Sequence, residues 1–268
     1  PMIDISQIMN YEVMKHSLIT QLIPVAGNED MLANIPHKQI EDLALVYRFS
    51  VGRDEHGQST ILVKNDMLDR YGITAEQLHE DAMMSAPQIE APSMKTLFET
   101  TAEIMGEDFF ELMGEVEPAM PGVYVCTNES KHHGASVLMY PDFMDEVADK
   151  LGGDFYIIPS SIHETLLFPA KDVENYHDLE AMVREVNETQ VAPEERLSDN
   201  VYHYDAEAKV FELAQHHEER IADMEKDSGD RGEKASVLKD LTAKSKEVAE
   251  KAPKEHASPK KSRAEEAL

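Results

Sequence analysis

Apolar residues recur at helical spacing at the start of the chain, where Ile8, Tyr11, Met14, Leu18 and Leu22 fall within "QIMNYEVMKHSLITQLIP". The spacing predicts an amphipathic helix, ended by Pro24 and Gly27. The pattern then changes. "DLALVYRFSV" and "STILVKN" are dense in apolar and β-branched residues and flank the turn-forming "GRDEHGQ", which predicts a hairpin from about Leu43 to Lys64. A short helix "DMLDRYG" is stopped by Gly72. The next, "TAEQLHEDAMMSA", carries Thr74 as N-cap with Gln77 at capping-box spacing and closes at Pro87. "SMKTLFETTAEIMG" reads as a further helix, capped by Ser93 and ended by Gly106.

Beyond an acidic, methionine-bearing stretch, "GEDFFELMGEVEPAMPG", the segments "GVYVCTN", "GASVLMY", "PDFMDEVADKLG", "DFYIIPS" and "ETLLFP" read as strand, strand, helix, strand and strand. An amphipathic helix "VENYHDLEAMVREVN" and a closing hairpin "VYHYDAEAKVFEL" complete the body. "LVYRFSVGRDEHGQSTILVKNDMLDRYG" and "GVYVCTNESKHHGASVLMYPDFMDEVADKLG" share the order strand, polar turn, strand, helix, glycine stop, the second starting at Gly122 and the first at Leu45. The fold class expected is α+β: two ββα-containing units with mixed or antiparallel sheets packed by helices, then a helical or disordered tail. The boundaries expected are 1–110 for the first unit, 111–121 for the acidic excursion, 122–212 for the second unit and 213–268 for the tail.

Charge narrows the function classes. The chain of 268 residues carries 25 Lys and Arg against 53 Asp and Glu, a formal net of −28. Residues 213–268 are nearly balanced, so residues 1–212 hold almost all of the excess. Such a field repels phosphate backbones and anionic lipid and favours a basic protein partner. Direct nucleic-acid binding by the body and membrane association are therefore not expected. No apolar run approaches the roughly 20 residues that span a bilayer. Residues 1–30 show no signal-peptide pattern. The single cysteine, Cys126 in "GVYVCTN", rules out an internal disulfide and reads as a small buried hydrophobe in a strand. A cytoplasmic location follows as the expectation.

"LANIPHKQIEDLALVYRF", "ILVKNDMLDRYGITAEQLHEDA", "YVCTNESKHHGASVLMYPDFMDEVADKLGGDFYIIPSSIHETLLFP" and "MVREVNETQVAPEERLSDNVYHYD" together resemble the domain of unknown function family 5688, over roughly residues 1–211. The resemblance implies proteins of gut Firmicutes, often encoded near mobile genetic elements. It also implies a further N-terminal segment ahead of Pro1. The family has no established activity, so it supplies no catalytic residue.

Candidate chemistry centres on "PSSIHET". Ser160, His163 and Glu164 are the residues of a small hydrolase, if one exists here. A serine hydrolase draws its nucleophile, base and orienting carboxylate from separate elements, whereas neighbours in one turn point apart. Paired strands at 154–159 and 164–168 would leave these residues as turn filling, and no Gly-x-Ser-x-Gly elbow accompanies them. The pairs His132-His133 and His216-His217 lack the companions of a metal motif, and His133 is expected in an exposed turn. No metal and no cofactor are expected.

The loop "NETQVAPEERLSDN" offers a polar binding rim: Asn187, Thr189, Gln190, Glu194, Glu195 and Asp199. Met83, Met84, Met105, Met113 and Met120 could form an adaptable recognition surface, or fill core gaps. The reading favoured is a cytoplasmic accessory protein that binds a basic partner, in its sharper form by occupying that partner's nucleic-acid site. The hydrolase is the alternative.

Overall fold

Strand β3 (Leu43–Asp54) sorts its side chains by parity: Leu43, Leu45, Tyr47 and Phe49 enter the main core, while Ala44 and Val46 join a smaller cluster on the opposite face. It pairs antiparallel with β1 (Leu18–Pro24) along one side, and with β2 (His37–Ile40) and β4 (Gly57–Leu62) in turn along the other. The hairpin expected from Leu43 to Lys64 is therefore present, with a register shift between Ser50 and Gly52 that bends β3. The computed structural model describes residues 7–54, 57–106, 122–159 and 161–226.

The opening segment departs from the single helix expected of it. Between residues 8 and 24 the helical stretches are α1 (Tyr11–Met14) and a 3-10 turn, Lys15–Ser17, and the chain then enters β1. Residues 18–23 are all buried, so β1 shows none of the alternation that marks a half-exposed strand. A short helix α2 (Glu29–Leu32) follows β1, and α3 (Asn65–Tyr71) ends at Gly72 in the left-handed region. Helix α4 (Ala75–Ile89) starts where Thr74 accepts a hydrogen bond from the Gln77 amide. It runs past Pro87 to Ile89, with Leu78, Ala82, Ser85 and Ala86 buried along its length.

The stretch read as one helix from Ser93 divides in two. Residues 92–96 form β5 (Pro92–Thr96), and Thr96 then caps α5 (Leu97–Met105) in a reciprocal capping box with Glu99. The second sheet is antiparallel throughout and has the order β10–β9–β7–β8–β6–β5. Its remaining strands are β6 (Tyr124–Asn128), β7 (Phe155–Ile158), β8 (Thr165–Pro169), β9 (Tyr202–Asp205) and β10 (Val210–Leu213). "GASVLMY" is not a strand: Gly134–Met139 form a 3-10 helix whose first five residues are all buried. The shared strand and helix order of the two long stretches breaks at that element. Helix α6 (Phe143–Leu151) ends at Gly152, and α7 (Tyr176–Thr189) buries Tyr176, Leu179, Val183 and Asn187.

The fold is α+β with two antiparallel sheets, as the sequence implied. The main buried cluster draws on both sheets, with Leu45, Phe49 and Leu78 in the same core as Cys126, Val137 and Tyr202. The Ser136 hydroxyl, in the 3-10 helix, donates to the Thr20 carbonyl of β1 at 3.0 Å. Two units are distinguished, Pro1–His217 and Glu218–Leu268, and the sheets belong to the first. Residues 214–226 are helical. The rest of the expected tail and the excursion at 111–121 lie outside the described residues.

Candidate functional site

The β7–β8 hairpin presents a turn that two other segments close upon. On one side runs the loop after α7: Ile162 N–H donates to the Glu195 carbonyl at 2.9 Å, and Ser161 bridges Arg196. On the other lies the turn after β6, where the Ala135 amide donates to the Ile162 carbonyl at 3.2 Å and the Thr127 hydroxyl donates to the His163 carbonyl at 2.7 Å. Asn128 shapes that turn, accepting from the His132 amide at 3.1 Å and donating to the His132 carbonyl at 2.8 Å. Gly134 has to be glycine, since a β-carbon there would sit 2.5 Å from the His163 carbonyl and 2.7 Å from the Asn128 nitrogen.

His163 is held by both of its ring nitrogens. The His133 amide donates to Nδ1 at 3.2 Å, so the neutral ring carries its hydrogen on Nε2, which faces Glu195 Oε1 at 3.5 Å. A ring in that state has no free lone pair with which to take a serine proton. The Ser161 hydroxyl oxygen accepts from the His163 and Glu164 amides at 3.1 and 3.2 Å, a local turn motif. Ser160 lies outside the described residues, and Glu164 is exposed.

His132, His133 and His163 form a cluster with ring centroids 4.5 to 5.7 Å apart. His133 is part-buried and not in the exposed turn expected of it. Burial first, then its two histidine neighbours and Arg48, push its pKa down to about 4. Among the described residues no group of His, Cys, Asp and Glu is arranged to hold a metal ion. His216 and His217 face different partners, Glu41 at 3.0 Å and Glu212 at 3.2 Å, and His217 stacks on buried His203 at 3.6 Å.

The six loop residues part company. Asn187 is buried and donates to the Ser198 carbonyl and to Asp199, which ties the loop down. Thr189 bonds back to the Glu185 carbonyl within α7, and Gln190 caps that helix. Only Glu194 and Glu195 come beside the hairpin turn. Of the methionines, Met84 and Met105 are exposed and Met83 packs on the core, while Met113 and Met120 lie outside the described residues.

Sequence reasoning passed over Arg48 and Arg196, which line a cavity of about 470 Å³ beside the turn. The available signal was an arginine inside a strand pattern of a strongly acidic body. No described helix is long and apolar enough to cross a membrane. A model of a family of unknown function, DUF5688, matches residues 1–206. No curated protein and no solved structure matches the chain.

Proposed function

From the premise that the chain belongs to the DUF5688 family, we propose that it is a cytoplasmic accessory protein that binds a basic protein partner through its acidic surface. The observation that carries this reading is the acid distribution along α7. Its inner face is buried, while Asp172, Glu174, Asp178, Glu185 and Glu188 on the helix and its approach are all exposed. Among the described residues the ion pairs on this helix join Glu180 to His177 and Arg184 and leave those five out. A row of exposed carboxylates attracts cationic surface and speeds its docking. The partner class this favours is a protein whose basic face otherwise holds nucleic acid.

The test is capture by the full-length chain at low and high salt, beside a chain carrying Glu185→Lys and Glu188→Lys. The expected result is a basic protein retained at low salt, released by high salt and by duplex DNA, and lost with the charge reversals. A captured set that ignores both salt and the reversals would sink the reading.

The alternative is a small hydrolase using Ser160, His163 and Glu164, which would need His163 to give up the His133 amide on Nδ1 to free a lone pair for the serine proton, while its Nε2 faces the Glu195 carboxylate. Labelling by a serine-reactive phosphonate that disappears in Ser160→Ala would put the hydrolase in its place.

A further inference from the structure

The cavity beside the hairpin turn has its floor on the face of the first sheet turned away from the main core, where Gln21 of β1, Val46 and Arg48 of β3 and Leu62 of β4 line it. Pro24, Asn28 and Met31 form one wall, and Ile162, Pro193 and Arg196 another. At about 470 Å³ it falls within the range of small-molecule sites.

Two guanidinium groups in one cavity require an explanation in a chain with more than twice as many acids as bases. Arg48 donates from Nε to the Thr60 hydroxyl at 2.8 Å and reaches the Gln21 side-chain oxygen at 3.5 Å from one terminal nitrogen. Arg196 donates from Nε to the Val191 carbonyl at 3.2 Å. These contacts engage neutral oxygens and fix the side chains in place. A guanidinium has five N–H donors, so further donors on the terminal nitrogens of both remain unengaged among the described residues.

Neither arginine forms an ion pair with a described carboxylate. Glu194 is the one acid in the lining and is exposed, and the neighbouring Glu195 faces His163. A part-buried cation without a counter-charge is costly, and burial draws the Arg48 pKa down. The cost is relieved when an anion enters. The remaining lining is largely apolar, with Ile23, Val46, Leu62 and Ile162 among it.

We propose that this cavity binds a small organic oxyanion, a phosphate monoester or carboxylate on an apolar body, clamped by Arg48 and Arg196. Paired guanidinium groups suit this head, because their planar donor forks match the oxygens of phosphate and carboxylate. The apolar body lies against the sheet floor. The site is separate from the acidic face of α7 and does not depend on that face having a partner.

Calorimetric titration of the full-length chain with a matched set tests it: hexyl phosphate, hexanoate, hexanol and hexylamine. The two anions are expected to bind and the alcohol and amine not to. The stronger of the two anions identifies the head group. Arg196→Gln is expected to weaken the anions by about tenfold or more, with Arg196→Lys intermediate and the unfolding midpoint little changed. Arg48→Gln is expected to weaken them likewise. The ligand series on the unmodified chain reads the proposal even where a variant misfolds. Equal binding of hexylamine and hexyl phosphate, an absence of binding by either anion, or full affinity in a folded Arg196→Gln chain would each overturn it.

Discussion

The buried phenol of Tyr202 donates a hydrogen bond to the carboxylate of Asp42, a residue 160 positions earlier in the chain. The other carboxylate oxygen accepts from the Ser198 hydroxyl at 2.8 Å and from the Asn200 side-chain Nδ2 at 3.0 Å. One side chain in the β2–β3 corner thus anchors the approach to β9, and with it the far side of the second sheet. Asp42→Ala leaves three donors without their acceptor and is expected to cost about 3 kcal/mol, and Tyr202→Phe about 1 to 2 kcal/mol. Urea unfolding of the full-length chain measures both. An Asp42→Ala chain as stable as the parent would show that the carboxylate is no tie.

Acid is expected to weaken the fold before its carboxylates titrate. Burial foremost holds the pKa values of His133 and His203 at about 4, against 6.5 for the free side chain. Between those values the unfolded chain binds protons that the folded chain refuses, so stability falls as the pH drops through that window and is fully present above it. Urea midpoints taken across the window should decline, and the decline should be shallower in His203→Gln. A flat profile would contradict the burial of both rings.

Gly134→Ala should loosen the turn on which His163 rests. The new methyl meets backbone atoms, which cannot swing aside as a side chain can. A loss of about 2 to 3 kcal/mol is expected, together with a shift of the His163 ring resonances in NMR. Unchanged resonances would mean that the two turns do not touch.

Cys126 should resist thiol reagents until the chain unfolds. It is fully buried, and burial lifts its thiol pKa to about 12, so almost no thiolate exists to react. Labelling in native buffer and in urea provides the comparison. Rapid labelling of the native chain would place the β6 side chain at the surface.

What could be read from the sequence followed from how evenly each segment is buried. The β3–β4, β7–β8 and β9–β10 hairpins were legible because turn residues punctuate them. β1 was not, since residues 18–23 are buried on both faces, Thr20 and Gln21 included, and the apolar Leu18 and Leu22 also fit a helical template. Gly134–Met139 misled for the same reason. The boundary at Thr96 is in principle visible, because Thr96 and Glu99 have the capping-box spacing, but Ser93 offers a competing N-cap three residues earlier. The candidate site was legible only as its hairpin turn. Arg48 and Arg196 line one cavity from distant parts of the chain, and spacing along the chain carries no trace of that.

The strand order has a consequence for the growing chain on the ribosome. β7 lies between β8 and β9, and its partner on one side spans only residues 202–205. Until those residues emerge, Phe155 and Ile157 belong to a strand whose free edge is open to any neighbouring polypeptide. Synthesis halted between residues 170 and 197 would release a chain with that edge bare and with Asp42 lacking all three of its donors. Such stalled products should pair with one another through β7, and the full-length protein should not.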